Sequence, residues 1–340
     1  MSKTNYTNTE QHTYLRSLCL LVVVTFLIGG LTLPTIAQDQ DSFTFFATAD
    51  PQINIPKWGT AGTEKTIKQM NELPGADFPF GGTVGEPRGV LVAGDLVDKM
   101  GNRNNWKRYN RFFDPTGDAL LKYPVYAGTG NHDLTNEVSG GNLNWLEQEM
   151  VQRNKQRPGE LNYGPKGFHY SWDWGPIHFI NLNIFPGNKH RPVYGGTDPW
   201  NDPKDSLEFL KNDLEQNVQS KDQPIFLMWH YGLRGWGLDK WWTKKDLKNL
   251  AQVIKGYNIV LILHGHQHAY SRYKWNGYDV VMAPSPQKDR DPDNKDKESK
   301  PKGFLVFRVT DGELQMAVRR PDGWGRTWKT SLKGVVKKAQ

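Results

Sequence analysis

Five short apolar runs recur along the chain, at 43–49, 89–93, 124–128, 224–229 and 258–263, and each is followed at once by residues that bind metals or move protons. Runs of this length and Val/Ile/Phe content read as buried strands. They end in Asp50-Pro51-Gln52, Gly94-Asp95-Leu96-Val97-Asp98, Gly130-Asn131-His132-Asp133, His230 and His264-Gly265-His266-Gln267-His268. Between them lie amphipathic stretches at 63–73, 142–154, 204–219 and 243–255; in the third, Leu207, Leu210 and Leu214 recur at helical spacing. This alternation predicts an α/β layered domain. Other segments read as antiparallel pairs: 168–172 with 177–183, 273–275 with 278–282 across Asn276-Gly277, and 303–309 with 313–319 across Asp311-Gly312. Together they predict two sheets packed face to face with helices outside.

In open α/β sheets the carboxyl ends of the strands line the ligand crevice, so five tips far apart in sequence can converge on one spot. Their carboxylates, imidazoles and amide oxygens suit divalent cations such as Mn, Fe or Zn. A bridging carboxylate would hold two such ions about 3.5–4 Å apart, where they clamp the oxygens of a phosphoryl displacement. Taken singly, each block has an ordinary reading. A Gly-Asp pair caps a helix or makes an Asx turn, Asn131 suits a turn, and a lone His is more often a hydrogen-bonded, partly buried ring than a ligand. The joint occurrence at strand ends favours a metal centre.

The set Asp50-x-Gln52, Gly94-Asp95-x-x-Asp98, Gly130-Asn131-His132-Asp133, His230 and Gly265-His266-x-His268 resembles the calcineurin-like metallophosphoesterase family, in the family's order and across nearly all of 43–319. The ending His266-Gln267-His268-Ala269-Tyr270-Ser271-Arg272 is also similar to purple acid phosphatases. The resemblance implies an α/β fold: a four-layer α/β/β/α sandwich of two mixed sheets flanked by helices. It implies two divalent metal ions (Mn, Fe, Zn or Mg), with Asp95 bridging them. Asp50 and His268 would hold the first, and Asn131, His230 and His266 the second. His132 would lie beside the phosphate, steadying the transition state or protonating the leaving oxygen, with Asp98 fixing its orientation. The nucleophile would be a metal-bound hydroxide, and the reaction hydrolysis of a phosphomonoester, with phosphodiesters close behind.

Two departures stand out. Gln52 occupies the place where the family usually has His. Its side-chain oxygen is neutral and harder than imidazole, so it would ligate the first metal directly or through water and make that site weaker or more oxygen-loving. Purple acid phosphatases also need a Tyr ligand shortly after the bridging Asp; here Lys99-Met100 follows Asp98, so the purple Fe(III) variant is not expected.

The N-terminus reads as an address. Residues 1–17 are largely polar, 18–33 form an uncharged run that is apolar but for Thr25 and Thr32, Pro34 ends the run, and Thr35-Ile36-Ala37 offers a small-residue cleavage site. This is the form of a secretory signal peptide, which predicts a secreted or periplasmic (extracytoplasmic) protein with one phosphoesterase domain over 38–340. An uncleaved membrane anchor through 18–33 is the alternative, although the run is short of the roughly 20 residues of a bilayer span. The single Cys, Cys19, lies in this leader, which excludes a disulfide scaffold and a Cys-based zinc site from the rest.

The net charge of +7 comes without a dense basic stripe, so nucleic acid is not an expected partner. The resemblance implies a small phosphorylated substrate as the partner, and no obligate protein partner is expected. Trp236, Trp241 and Trp242 follow His230 and form either a substrate-facing lid or ordinary packing. That aromatic stretch and Gln52 support a second reading, a catalytically weak metal- or ligand-binding module. Loops 53–87, 186–203 and 232–242 would select the substrate. The charged run 289–302 reads as a solvated loop. His264 is expected to pack behind the paired His, His169 and His178 to be structural, and Arg272 to make a local salt bridge.

Overall fold

The computed structural model describes residues 42–53, 59–98, 103–134, 144–188, 202–235, 238–287 and 302–332. These belong to one unit, Gln38–Gln340; the other, Met1–Ala37, lies outside the described residues together with the leader assigned to it. Trp236, His190 and residues 289–301 also lie outside them.

In chain order the strands are β1 (Phe43–Thr48), β2 (Pro87–Ala93), β3 (Val125–Gly128), β4 (Leu161–Tyr163), β5 (Tyr170–Trp174), β6 (Ile177–Asn181), β7 (Ile225–Met228), β8 (Ile259–His264), β9 (Ser271–Trp275), β10 (Tyr278–Met282), β11 (Phe304–Thr310), β12 (Glu313–Arg320) and β13 (Gly323–Ser331). The helices are α1 (Ala61–Glu72), α2 (Arg103–Phe112), α3 (Asn144–Gln156), α4 (Ser206–Gln216), α5 (Leu238–Trp241) and α6 (Lys244–Val253). One sheet has the order β13-β12-β11-β1-β2-β3 and the other β4-β5-β6-β7-β8-β10-β9. Both are mixed. β1, β2 and β3 run parallel, as do β6, β7, β8 and β10, while antiparallel strands extend the edges.

The strand runs are apolar throughout because both faces are covered. Successive side chains point to opposite faces. In β1, Phe43, Phe45 and Ala47 join Leu91, Tyr126, Trp172, Trp174, Phe179, Phe226, Leu261 and Phe307 in the layer between the sheets. Phe45 stacks on Phe307 at 4.7 Å and meets Phe179 edge-on at 5.3 Å. The alternate residue Phe46, with Val90 and Val92, belongs to a second cluster containing Ile67 and Met70 of α1 and Tyr109 of α2. That cluster also takes Ile180, Leu227 and Ile262 from the other sheet together with Leu210 of α4 and Leu250 of α6. The four-layer α/β/β/α arrangement follows, and Trp172 and Trp174 of β5 are core residues.

Several elements lack a sequence signal, α2 and β13 among them. α2 carries only Trp106, Tyr109 and Phe112 as a thin buried stripe among polar residues. β13 is half exposed and Gly-bearing, with no apolar run. Among the described residues no helix is long and apolar enough to cross a membrane.

Candidate metal centre

The carboxyl ends of β1, β2, β3, β7 and β8 deliver the candidate residues to one place. Asp50 and Gln52 follow β1, Asp95 and Asp98 follow β2, and Asn131 and His132 follow β3. His230 follows β7, and His266 and His268 follow β8. The nine form one connected network. Asp95 accepts from Gln52 Nε2 (2.9 Å) and from the His132 backbone N–H (2.8 Å), and lies 3.2 Å from His230 Nε2. Asn131 Oδ1 meets His230 Nε2 at 3.1 Å and His266 Nδ1 at 2.9 Å. Asp50 accepts from the His266 backbone N–H (3.0 Å) and lies 3.4 Å from His268 Nε2. At the margin, His132 Nδ1 pairs with Asp98 Oδ1 at 2.8 Å.

The backbone is bent to achieve this. Asp50 (φ 54°), Gln52 (38°), Asp95 (53°), His266 (79°) and His268 (62°) all sit in the left-handed region. Non-glycine residues there cost on the order of 1–3 kcal/mol each, and such conformations gather at functional sites. The kinks turn side chains off the strand axes and into the rim of the sheets. Gly94 shows how close the chains come: at φ 85°, a Cβ on it would lie 2.5 Å from His230 Nδ1.

Two groups of donor atoms emerge, Asp95–His230–His266 and Asp50–Asp95–His268, each with its atoms within 4.8 Å of one another. They share Asp95. Each group is of the kind that can hold a metal ion. Residues 43–270 match the calcineurin-like phosphoesterase family. The chain belongs to that family.

Among solved structures, the chain is similar to GAP50, the anchor in the inner membrane complex of Plasmodium. Identity is 14%, with 86% of this chain and 90% of that one covered, and the TM-score is 0.53. It also aligns with the phosphopantetheinyl hydrolase of Mycobacterium tuberculosis (13% identity, 76% and 99% covered, TM-score 0.42). A putative 5'-nucleotidase of Staphylococcus aureus aligns at 11% identity, with 86% and 55% covered and a TM-score of 0.40. No curated protein matches it.

Members of the family typically bind divalent metals, and the residues here fit such ions. The donors are carboxylate and amide oxygens and imidazole nitrogens, as hard-to-borderline cations require. Gln52 Oε1 is buried without a hydrogen-bond partner. Orphaned polar atoms of this kind cost roughly 1–3 kcal/mol each unless a ligand satisfies them. Without a metal, the charged groups of the site pair with one another. Burial alone would raise Asp95, but the His230, His132 and His266 imidazoles outweigh it and hold the carboxylate well below its usual range. Burial opposes charge on His230, yet Asp95 prevails and lifts it to about 9. Burial, reinforced by His230, pushes His266 far down, so that ring stays neutral.

Other expectations are resolved as structure. His264 packs behind the site: Nδ1 meets its neighbour's carbonyl (Gly265 O) at 2.9 Å, and Nε2 meets the Tyr273 hydroxyl at 3.0 Å. Burial pushes it down to about 4. His169 meets Asn183 at 3.0 Å and the Lys204 carbonyl at 3.1 Å. Arg272 pairs with Asp279 at 3.3 Å, within the β9–β10 hairpin. Trp241 and Trp242 are buried; Trp241 stacks on Tyr231 at 4.6 Å, and both of those rings meet His266 edge-on. The described part of this aromatic stretch is therefore packing that walls in His266.

Sequence reading missed the role of Asp133. Its carboxylate accepts from the backbone N–H groups of Leu96 (3.0 Å), Val97 (2.9 Å) and Gly130 (2.8 Å), joining the loop after β2 to the loop after β3. Its place beside Asn131-His132 was the available signal. Ser285 and Gln287 were missed with no signal at all.

Proposed function

We propose that this chain hydrolyses a phosphomonoester at a pair of divalent cations. The observation that carries the reading is the sharing of Asp95 by two donor groups, with the His132–Asp98 pair beside them. Asp50, Gln52 and His268 would serve the first cation, and Asn131, His230 and His266 the second. When bound, the ions would supply positive charge to the phosphoryl oxygens and make water a competent nucleophile near neutral pH.

The chain's own residues do the rest. Asp98 holds the His132 ring by Nδ1, which turns Nε2 away from it. The His132 side chain is 36% exposed, whereas those of Asp50, Asp95 and His230 are almost wholly buried, so it is the group that meets an incoming substrate. In the reaction, water oxygen bonds to phosphorus as the bond from phosphorus to the leaving oxygen breaks, and His132 gives that oxygen a proton. The partner proposed is a small phosphorylated molecule, with no nucleic acid and no obligate protein partner. Residues 1–37 would direct the 38–340 domain out of the cytoplasm, or hold it at a membrane through 18–33.

The test is metal analysis together with turnover of an aryl phosphate. Two equivalents of divalent metal with activity that vanishes on stripping support the proposal. Full activity without metal rejects it. One equivalent without turnover selects the binding-module reading, which Gln52 favours.

A further inference from the structure

The centre is assembled from two sheets. Asp50, Gln52, Asp95 and Asn131 come from strands of one, while His230, His266 and His268 come from the other. Segment 283–287 crosses between them. It leaves β10, which pairs with β8 so that Met282 faces His264, and Ala283 N–H donates to the His264 carbonyl at 2.8 Å. It then lies along the end of β1. Pro284 O accepts from Thr48 Oγ1 (2.9 Å) and from Ala49 N–H (3.3 Å). Ser285 Oγ donates to the Asp50 carbonyl at 2.8 Å, and Gln287 Nε2 donates to the Pro51 carbonyl at 3.1 Å. Gln287 N–H in turn donates to Ser285 Oγ at 3.2 Å.

These bonds fall on the segment where Asp50 and Gln52 both hold positive φ. Such backbone persists only where its surroundings over-determine it. Ser285 and Gln287 are buried, so their bonds are shielded from water. The strap is pressed from outside as well, because a Cβ on Gly62 of α1 would lie 2.8 Å from Pro286 O.

We infer that Ser285 and Gln287 are positioning residues that hold the Asp50–Gln52 turn in register with the paired His of the opposite sheet, and so set the affinity of the first cation site. The inference rests on the dinuclear reading above. Neither residue touches substrate or metal; each acts through the backbone carbonyl it holds. Loss of such outer support commonly costs about 10–100-fold in metal affinity.

The test is titration of the full chain with Mn(II), followed by calorimetry and electron paramagnetic resonance, with thermal unfolding of the metal-free proteins alongside. Ser285→Ala and Gln287→Met remove the donors, and Gly62→Ala pushes the strap from the helix side. The expected result is a loss of about tenfold in one Mn(II) affinity while the other stays at the wild-type value. The exchange-coupled signal then gives way to that of an isolated ion, and metal-free melting barely moves. Two affinities at wild-type values in all three variants overturn the inference. So does an equal fall in both affinities that tracks a drop in metal-free melting. A wild-type chain that binds one ion overturns the dinuclear reading instead. The strap is then judged on that ion: weaker binding in the variants supports it, and unchanged binding overturns it.

Discussion

Gln52 donates its side-chain N–H to Asp95 Oδ2 at 2.9 Å, so the amide standing where histidine is usual in the family is tied to the carboxylate shared by both donor groups. Its oxygen is buried and without a hydrogen-bond partner. One side chain thus orients the shared carboxylate and still offers an oxygen to the first site. An amide oxygen is a weaker ligand for zinc than imidazole is. Gln52→His is therefore expected to raise zinc retention at the first site about tenfold, read as metal per chain after dialysis. Unchanged retention would show that Gln52 does not contribute to that site.

Asp95→Asn keeps the size of the side chain and removes the charge common to both groups. Both cations are expected to be lost, with no activity remaining. Elemental analysis decides: a variant that keeps two equivalents of metal contradicts the placement of Asp95 between the ions.

His132→Ala removes the half-exposed ring held by Asp98 while leaving both donor groups intact. Metal content should not change, and kcat on an aryl phosphate should fall by about 10²–10⁴. Loss of metal with loss of activity would assign His132 to the metal set.

His178, away from this site, bridges two carboxylates: Nδ1 lies 2.7 Å from Asp173 and Nε2 lies 2.8 Å from Asp213. Burial opposes its charge, but these partners outweigh burial and raise it to about 9. Because the folded value lies above the unfolded one of about 6.5, the contribution is fully present below pH ~6.5 and lost as pH rises through ~9. His178→Gln is expected to be less stable than wild type by on the order of 2 kcal/mol at pH 6, with the gap closing above pH 9. Denaturant melts across that range give the answer; a gap constant with pH would mean the ring is not charged.

Phe45 is wholly buried between the sheets, against Phe307, Phe179 and Phe226. Phe45→Ala is expected to cost about 3–5 kcal/mol of stability. The proposed metal ligands follow the strand ends, so the two equivalents of metal proposed above should still bind below the lowered melting point. A loss under 1 kcal/mol in denaturant melts would mean the layers collapse around the gap.

The strands that build the site were legible because each is a local apolar run that both faces bury, and the runs at 43–49, 89–93 and 258–263 became β1, β2 and β8 within a few residues. The ligand types at their ends were legible for the same reason, since a strand tip is a local feature. α2 and β13 were not, because a thin buried stripe and a half-exposed edge leave little hydrophobic pattern.

The order of residues along the chain was enough for layer type, strand ends, donor chemistry and family. Distance was not contained in it. Asp95 serves both donor groups, Asp133 joins two loops, and Ser285 and Gln287 hold the carbonyls of Asp50 and Pro51 across more than 230 positions of sequence. Such bonds depend on how two twisted sheets dock. Docking depends on the interlocking of Phe45, Phe179, Phe226 and Phe307 in three dimensions, and no local pattern encodes that fit.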